Sequence, residues 1–207
     1  MRDHKELFSH IYAKNVWGNG SGSGSGPKYC LKYMKLLQKL IKKKKIKNVL
    51  DLGCGDWQFS QYMDWGSLDS YVGLDVVSSV VERNKEMFGK KNIAFHKCDI
   101  SNVGKIEPFF GKEEQLVIIK DVLMHWKNEE IENWIHRVMK LPFRYLLVTN
   151  SWKYFRKPEN NLKPRVLDPK YSWAPIDALK PPIGDYRPKV LLTFYSKQVA
   201  LIKGSLK

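Results

Sequence analysis

Cysteine is scarce in this chain: Cys30, Cys54 and Cys98 are the only three, and their spacing matches no metal site. An odd, scattered set excludes a disulfide framework and a cysteine-built zinc site, and it fits a reduced, cytoplasmic setting with no resident metal. Long apolar runs are missing too. None approaches the ~20 residues of a membrane helix, and Met1-Arg2-Asp3-His4-Lys5-Glu6 leads into no apolar leader core, so neither membrane insertion nor secretion is expected. No internal repeat appears, which removes solenoids and propellers. The 207 residues, 43% hydrophobic and 28% charged, suit one globular domain over 1–207.

Acids are short at both ends. Residues 1–47 hold 12 Lys/Arg against 2 acids and residues 151–207 hold 12 against 4, while residues 48–150 hold 12 against 15. The net charge of +15 therefore sits outside the middle of the chain. A basic surface attracts phosphate-bearing partners such as RNA, nucleotide sugars or anionic lipid. The plainer alternative is a lysine-rich composition whose lysines are simply solvated.

The densest signal is Val49-Leu50-Asp51-Leu52-Gly53-Cys54-Gly55-Asp56-Trp57. An apolar run ends in an acid and a Gly-x-Gly turn, the pattern of a parallel strand whose carboxyl end meets a ligand-binding loop. Glycines there allow backbone N–H groups to approach a ligand closely. A dinucleotide fingerprint needs a third glycine at position 58, where this chain has Gln58, so the pattern fits a nucleoside better than a pyrophosphate.

This stretch resembles motif I of class I S-adenosylmethionine-dependent methyltransferases, and three later stretches continue the likeness in order. Tyr71-Val72-Gly73-Leu74-Asp75 is similar to the family's second strand, with Asp75 placed 24 residues after Asp51, near the ~20 expected of a ribose-binding acid. Cys98-Asp99-Ile100 resembles the third-strand acid that meets adenine, with Ile100 against the ring. Leu116 to Trp126, containing Lys120-Asp121-Val122-Leu123-Met124-His125, is similar to motif IV beside the transfer centre. The resemblance implies S-adenosyl-L-methionine as cofactor, held by Asp51, Gly53, Cys54, Gly55, Asp75, Val76, Asp99, Ile100 and Asp121. It also implies an α/β fold: a doubly wound, seven-stranded, mostly parallel Rossmann-like sheet, with helices on both faces and a C-terminal antiparallel strand pair.

Periodicity supplies the elements. Strands are expected near 48–52, 71–75, 93–97, 116–120 and 145–149, and a last pair, 190–195 and 198–202, around Ser196-Lys197. An amphipathic helix fits the first 15 residues. A second helix opens at Pro27, buries Tyr33, Leu37, Leu40 and Ile41, and ends in Lys42 to Lys45, where cations suit the helix dipole. A third spans 129–139, capped by Asn128, with Ile131, Trp134, Ile135 and Val138 as its buried stripe. Trp57 and Trp126 read as core or cofactor-wall residues.

Between the first two helices lies Trp17-Gly18-Asn19-Gly20-Ser21-Gly22-Ser23-Gly24-Ser25-Gly26. By composition it is a flexible linker; by resemblance it is a loop, Trp17 included, that folds over the cofactor. Residues 1–47 and 151–189 then form the acceptor side, 48–150 the cofactor core and 190–207 the terminal strands. The 151–189 segment carries Trp152, Tyr154, Phe155, Trp173 and Tyr186 among basic residues, and matches the family only partly, at Asn160-Asn161 and Pro181-Pro182-Ile183.

Methyl transfer needs an aligned nucleophile and, for a hydroxyl, a base. Asp121 and His125 are the candidate catalytic residues, and they share a face if 121–126 is helical. No Asn/Asp-Pro-Pro-aromatic segment supports amide methylation of that type, and no Pro-Cys nucleophile follows the fourth strand. A Lys28, Asp121, Lys153, Glu159 set for ribose hydroxyls has only loose spacing. The leading expectation is transfer to an oxygen or nitrogen of a small-molecule or sugar acceptor. The alternatives are an RNA methyltransferase and a non-catalytic, cofactor-binding partner subunit.

Overall fold

The computed structural model describes residues 4–152 and 174–206. Two compact units divide the chain, Met1–Ile100 and Ser101–Lys207.

In the first unit, α1 (His4–Ala13) buries Leu7 and Ile11. The second helix, α2 (Pro27–Lys44), opens with Pro27 in its first turn, where a missing N–H costs nothing. Its stop is Lys45 in the left-handed region (φ 54°), whose N–H returns to the carbonyls of Ile41 and Lys42. Cys30, Tyr33, Leu37, Leu40 and Ile41 form its buried face, each large side chain contributing roughly 1.5–3 kcal/mol. β1 (Asn48–Leu52), β2 (Ser70–Asp75) and β3 (Ile93–Lys97) pair in parallel, with Asp51 opposite Gly73 and Gly73 opposite Phe95. α3 (Ser78–Phe88) turns its buried Val80, Val81 and Asn84 inward.

The second unit contains the short α4 (Val103–Ile106), then β4 (Gln115–Lys120), buried at every position as a central parallel strand should be. α5 (Asn128–Val138) shows the expected stripe of Ile131, Trp134, Ile135 and Val138. β5 (Tyr145–Ser151) runs parallel to β4, while β7 (Lys197–Lys203) pairs antiparallel with both β5 and β6 (Lys189–Phe194). The sheet order is β3-β2-β1-β4-β5-β7-β6, the doubly wound order with its antiparallel pair.

Three local expectations need correcting. Asn128 is the first residue of α5 rather than its cap; Lys127 takes the cap position, and its backbone N–H donates to the Glu130 carboxylate at 2.8 Å. The acid three residues on thus satisfies the cap residue's own N–H, the carboxylate half of a capping box, in place of the asparagine cap that was expected. The last hairpin turns at Tyr195-Ser196, because Phe194 pairs with Lys197 and Tyr195 takes the left-handed conformation (φ 51°). Residues 121–126 are not one helix: a single 3-10 turn covers Leu123–His125. Among the described residues no helix is long and apolar enough to cross a membrane, and no cluster of three His, Cys, Asp or Glu is arranged to hold a metal ion.

Candidate active site

In the first unit the carboxyl ends of β1 and β2 place Asp51, Gly53, Cys54, Gly55 and Asp75 together. The N–H groups of Gly53 and Cys54 both donate to the Leu74 carbonyl, at 2.8 and 3.0 Å. Gly55 N–H donates to Asp75 Oδ2 at 3.0 Å and Asp56 N–H to Ser21 Oγ at 3.1 Å. The turn's amides are therefore spent on its own architecture, contrary to the expectation that they point at a ligand. What glycine provides at position 55 is closeness: φ is 56°, and a Cβ there would lie 2.4 Å from Ser21 Oγ.

Asp75 is buried at the end of β2 and accepts from Gly55 N–H and, through Oδ1, from Val77 N–H at 3.0 Å. Burial pushes its pKa up; the N–H groups of Val77, Gly55 and Val76 pull it back, and the charge of Asp56 adds to the rise. Beyond these amides the carboxylate keeps acceptor capacity. Val76 follows, half-buried, and beyond β3 Cys98, whose N–H donates to the Asp75 carbonyl at 2.8 Å, precedes Asp99 and Ile100. Burial and the charges of Asp75 and Asp51 push the Cys54 thiol well up, so it stays protonated and is no nucleophile.

Asp51 is reached by a relay that the sequence did not announce. Trp57 Nε1–H donates to Tyr71 Oη at 2.8 Å, and Tyr71 donates to Asp51 Oδ2 at 2.6 Å. Burial and the Asp51 charge raise the Tyr71 pKa, keeping the phenol a donor. Trp57 sits in the left-handed region (φ 60°) immediately after the turn, held among Phe88, Phe95, Tyr71 and Trp65 at ring separations of 4.9 to 6.3 Å. It is a core residue. From α3, Asn84 Nδ2 donates to the Gly55 carbonyl at 2.7 Å and Arg83 to the Asp56 carbonyl at 3.3 Å.

The Gly/Ser segment is fastened to this turn. Ser21 Oγ donates to Asp56 Oδ1 and Ser21 N–H to Asp56 Oδ2 at 3.2 Å, while Gln58 Nε2 donates to the Asn19 carbonyl at 2.8 Å. Tyr12 of α1 hydrogen-bonds Ser21 at 2.5 Å. Burial and the Asp75 charge push the Tyr12 phenol well up, so it too is neutral. Trp17 packs edge-on against Phe8, 6.2 Å between centroids. A linker by composition is thus a built loop in structure. Asp56 was visible beside the glycine pair, whereas Tyr12 and Ser21 meet it across 35 or more residues and leave no local trace.

In the second unit Asp121 follows β4 in the left-handed conformation (φ 59°), its N–H bonded to the Thr149 carbonyl at 2.7 Å. Its oxygens are shared between two lysines, Oδ2 with Lys120 Nζ and Oδ1 with Lys197 Nζ, both at 2.7 Å. Burial alone would raise this acid; the Lys120 and Lys197 ammoniums win and hold it at about 2. Lys120 was adjacent in sequence, but Lys197 arrives from β7 and only the hairpin register brings it there. His125 is buried, its N–H on the Val122 carbonyl at 2.9 Å. The Asn150 side chain accepts from Met124 N–H at 3.3 Å, and the returning segment is tied by Ile176 N–H to the Ser151 carbonyl at 2.7 Å. Of the Lys28, Asp121, Lys153, Glu159 set, Lys153 and Glu159 lie outside the described residues, as do Tyr154, Phe155, Asn160, Asn161 and Trp173.

A family model described as a methyltransferase domain matches residues 43–170, more than half of the chain. Solved structures share the fold at low identity. Magnesium protoporphyrin IX methyltransferase (ChlM) of Synechocystis PCC 6803 with bound SAH is 16% identical, covering 98% of this chain and 100% of its own, with a TM-score of 0.61. The N-methyltransferase NodS of Bradyrhizobium japonicum WM9, in complex with S-adenosyl-L-homocysteine, is 12% identical over 96% and 99% of the two chains, with a TM-score of 0.64. The methyltransferase domain of bacterial CtHen1 is 15% identical over 83% and 97%, with a TM-score of 0.57. None of the curated proteins compared by sequence matches this chain.

Proposed function

This chain belongs to the methyltransferase-domain family, and we propose that it moves the methyl group of S-adenosyl-L-methionine to an oxygen or nitrogen of a negatively charged small-molecule or sugar acceptor. The observation that carries the cofactor half is Asp75. Buried at the end of β2, it fixes the Gly55 amide yet retains lone pairs suited to two ribose hydroxyls. The donor set around it fits a nucleoside: Asp75 for the ribose, the tight Gly53–Gly55 turn for close approach, and Asp99 with Ile100 for the base. Cys54 and Val76 serve as walls, and Trp17 keeps the Gly/Ser loop in place. Asp51 orders the turn through Tyr71 and Trp57. Two solved structures of the same fold hold SAM or its demethylated product: ChlM with SAM and NodS with S-adenosyl-L-homocysteine. The bound cofactor supplies the electrophile, a methyl carried on a sulfonium.

On the acceptor side, Asp121 acts as a permanent anion. A carboxylate held at about 2 by two ammonium groups takes up almost no proton at neutral pH, so its part is positioning and charge rather than that of a general base. Lys197 gives Asp121 one hydrogen bond and has further N–H capacity for an acceptor's phosphate or carboxylate. His125, buried in the 3-10 turn after β4, is the remaining candidate base.

Calorimetric titration of S-adenosyl-L-methionine into the wild type and Asp75→Ala tests the reading. Micromolar binding that the variant loses supports it, and no binding by folded wild type refutes it. Transfer of labelled methyl to anionic acceptors separates an enzyme from a partner subunit that binds cofactor without turnover. An RNA acceptor is the second reading, favoured by one specific surface.

A further inference from the structure

α2 carries no acidic residue, and no Asp or Glu occurs anywhere between Glu6 and Asp51. Lys28, Lys32, Lys35, Lys39 and Lys42 recur along it at steps of four, three, four and three. At 100° per residue these five fall within an arc of about 80°, directly opposite the buried face, and they extend over about 21 Å of helix. All five are exposed, and none has an ion-pair partner among the described residues, where the ion pairs lie elsewhere.

We propose that this lysine row docks the phosphate backbone of single-stranded RNA. A straight, uncompensated row of cations suits a linear polyanion. A lipid surface fits poorly, because an interfacial helix must give its apolar face to the bilayer, and here that face is occupied by Tyr33, Leu37, Leu40 and Ile41 inside the unit. Unpaired bases find stacking partners in Tyr29, 52% exposed on the same helix, and Tyr62, 65% exposed on the segment that Gln38 Nε2 ties to α2 through the Asp64 carbonyl at 3.0 Å. Such bases are what proteins ordinarily read in RNA. The row begins two residues after Gly26, at the end of the loop that Ser21 anchors to Asp56, so a strand lying on it leads toward the glycine turn. As a track for the acceptor this rests on the methyl-transfer reading; as a binding surface it stands on the helix alone.

The test is fluorescence anisotropy with a labelled, unstructured 20-nucleotide RNA, titrated at several salt concentrations. Five phosphate contacts predict a slope of log affinity against log salt near −3.5, or about 100-fold weaker binding from 50 to 200 mM. Combining Lys32→Gln, Lys35→Gln and Lys39→Gln is expected to weaken binding at least ~10-fold and to flatten the slope by ~2. Combining Lys90→Gln, Lys91→Gln and Lys140→Gln, which removes the same charge from exposed sites elsewhere, is expected to leave both nearly unchanged. Equal losses in the two triple variants, no RNA binding by the wild type, or row-dependent binding to phosphatidylserine vesicles without RNA binding would each overturn the proposal. Cofactor titration into the same samples keeps the two ideas apart. Row-dependent RNA binding without cofactor binding would sink the transfer reading alone, and cofactor binding without RNA binding would sink the docking track alone.

Discussion

Replacing Tyr71 by phenylalanine removes one oxygen from a side chain with no solvent exposure and should cost far more than that atom's size suggests. The hydroxyl accepts from Trp57 Nε1–H and donates to Asp51. A hydrogen bond to a charged group is worth about 1.5–3 kcal/mol, and an indole N–H left buried without an acceptor costs about 1–3 kcal/mol. Asp51 keeps other interactions, which places the first figure at its low end, so the expected loss is about 3 kcal/mol. For a chain of this length that lowers the melting temperature by about 6–12 °C. Urea unfolding followed by circular dichroism should show a lower midpoint at an unchanged slope. A double-mutant cycle with Trp57→Phe isolates the contact, since the orphaned N–H disappears when both partners are gone; a coupling of about 1 kcal/mol or more is expected. Additivity within about 0.5 kcal/mol, or a loss below 1 kcal/mol in Tyr71→Phe, would refute the relay as the fastening of the glycine turn. Cofactor affinity should fall with it, because Trp57 directly follows that turn.

Three further outcomes follow from the same contacts. Asp75→Ala should weaken S-adenosyl-L-methionine at least ~100-fold, as expected for loss of charge-assisted bonds to two hydroxyls, while far-ultraviolet circular dichroism stays native; calorimetry reads it, and unaltered affinity contradicts the assignment. Gly20→Ala should release the Gly/Ser loop, since φ there is 51° and the added Cβ would fall 1.9 Å from Asp56 Oδ2; faster proteolytic nicking between residues 17 and 26 is the readout, and wild-type nicking rates would count against the fastening. Asp121, depressed from 3.8 to about 2, contributes about 2.5 kcal/mol of stability. That contribution is full above pH 3.8 and is lost as pH falls through about 2. Asp121→Asn should therefore flatten the acid limb of the stability profile, and an unchanged limb would show the pairing to be worth little.

How much of this was legible in the sequence depended on whether the interacting residues share one element. β1 through β5 could be read because each is a short apolar run closed by an acid, glycine or turn, and the α5 stripe because Ile131, Trp134, Ile135 and Val138 repeat at helical spacing. Asp51, Gly53, Gly55 and Asp75 stood out for the same reason: strand ends are local events. The Tyr12–Ser21–Asp56 cluster and the Tyr71 relay did not, since hydrogen bonds between distant segments impose no period. Composition misled most at residues 18–26, where Gly and Ser are the residues of flexible linkers and also those of tight turns packed under a neighbouring carboxylate. Only the partner, Asp56, distinguishes the two.

The same distinction governs Asp121. Read along the chain, an acid at the end of β4 invites the part of a base, and its neighbour Lys120 only hints otherwise. What the chain order does not show is Lys197, 76 positions away, which enters through a two-residue turn and the Phe194–Lys197 register and adds to the larger effect of Lys120. Two ammonium groups at 2.7 Å together hold the acid as a fixed negative charge, and the second leaves the cluster with more cations than the acid can neutralise alone. On the proposed reading, an acceptor that approaches it is selected first by charge: an anionic acceptor is expected to be drawn to Lys197, and a cationic amine to be disfavoured by the same ammonium. Lys197→Met should then raise KM for an anionic acceptor with little change in kcat, the mark of lost binding rather than lost chemistry. Loss of kcat alone would return Asp121 or Lys197 to the chemical step.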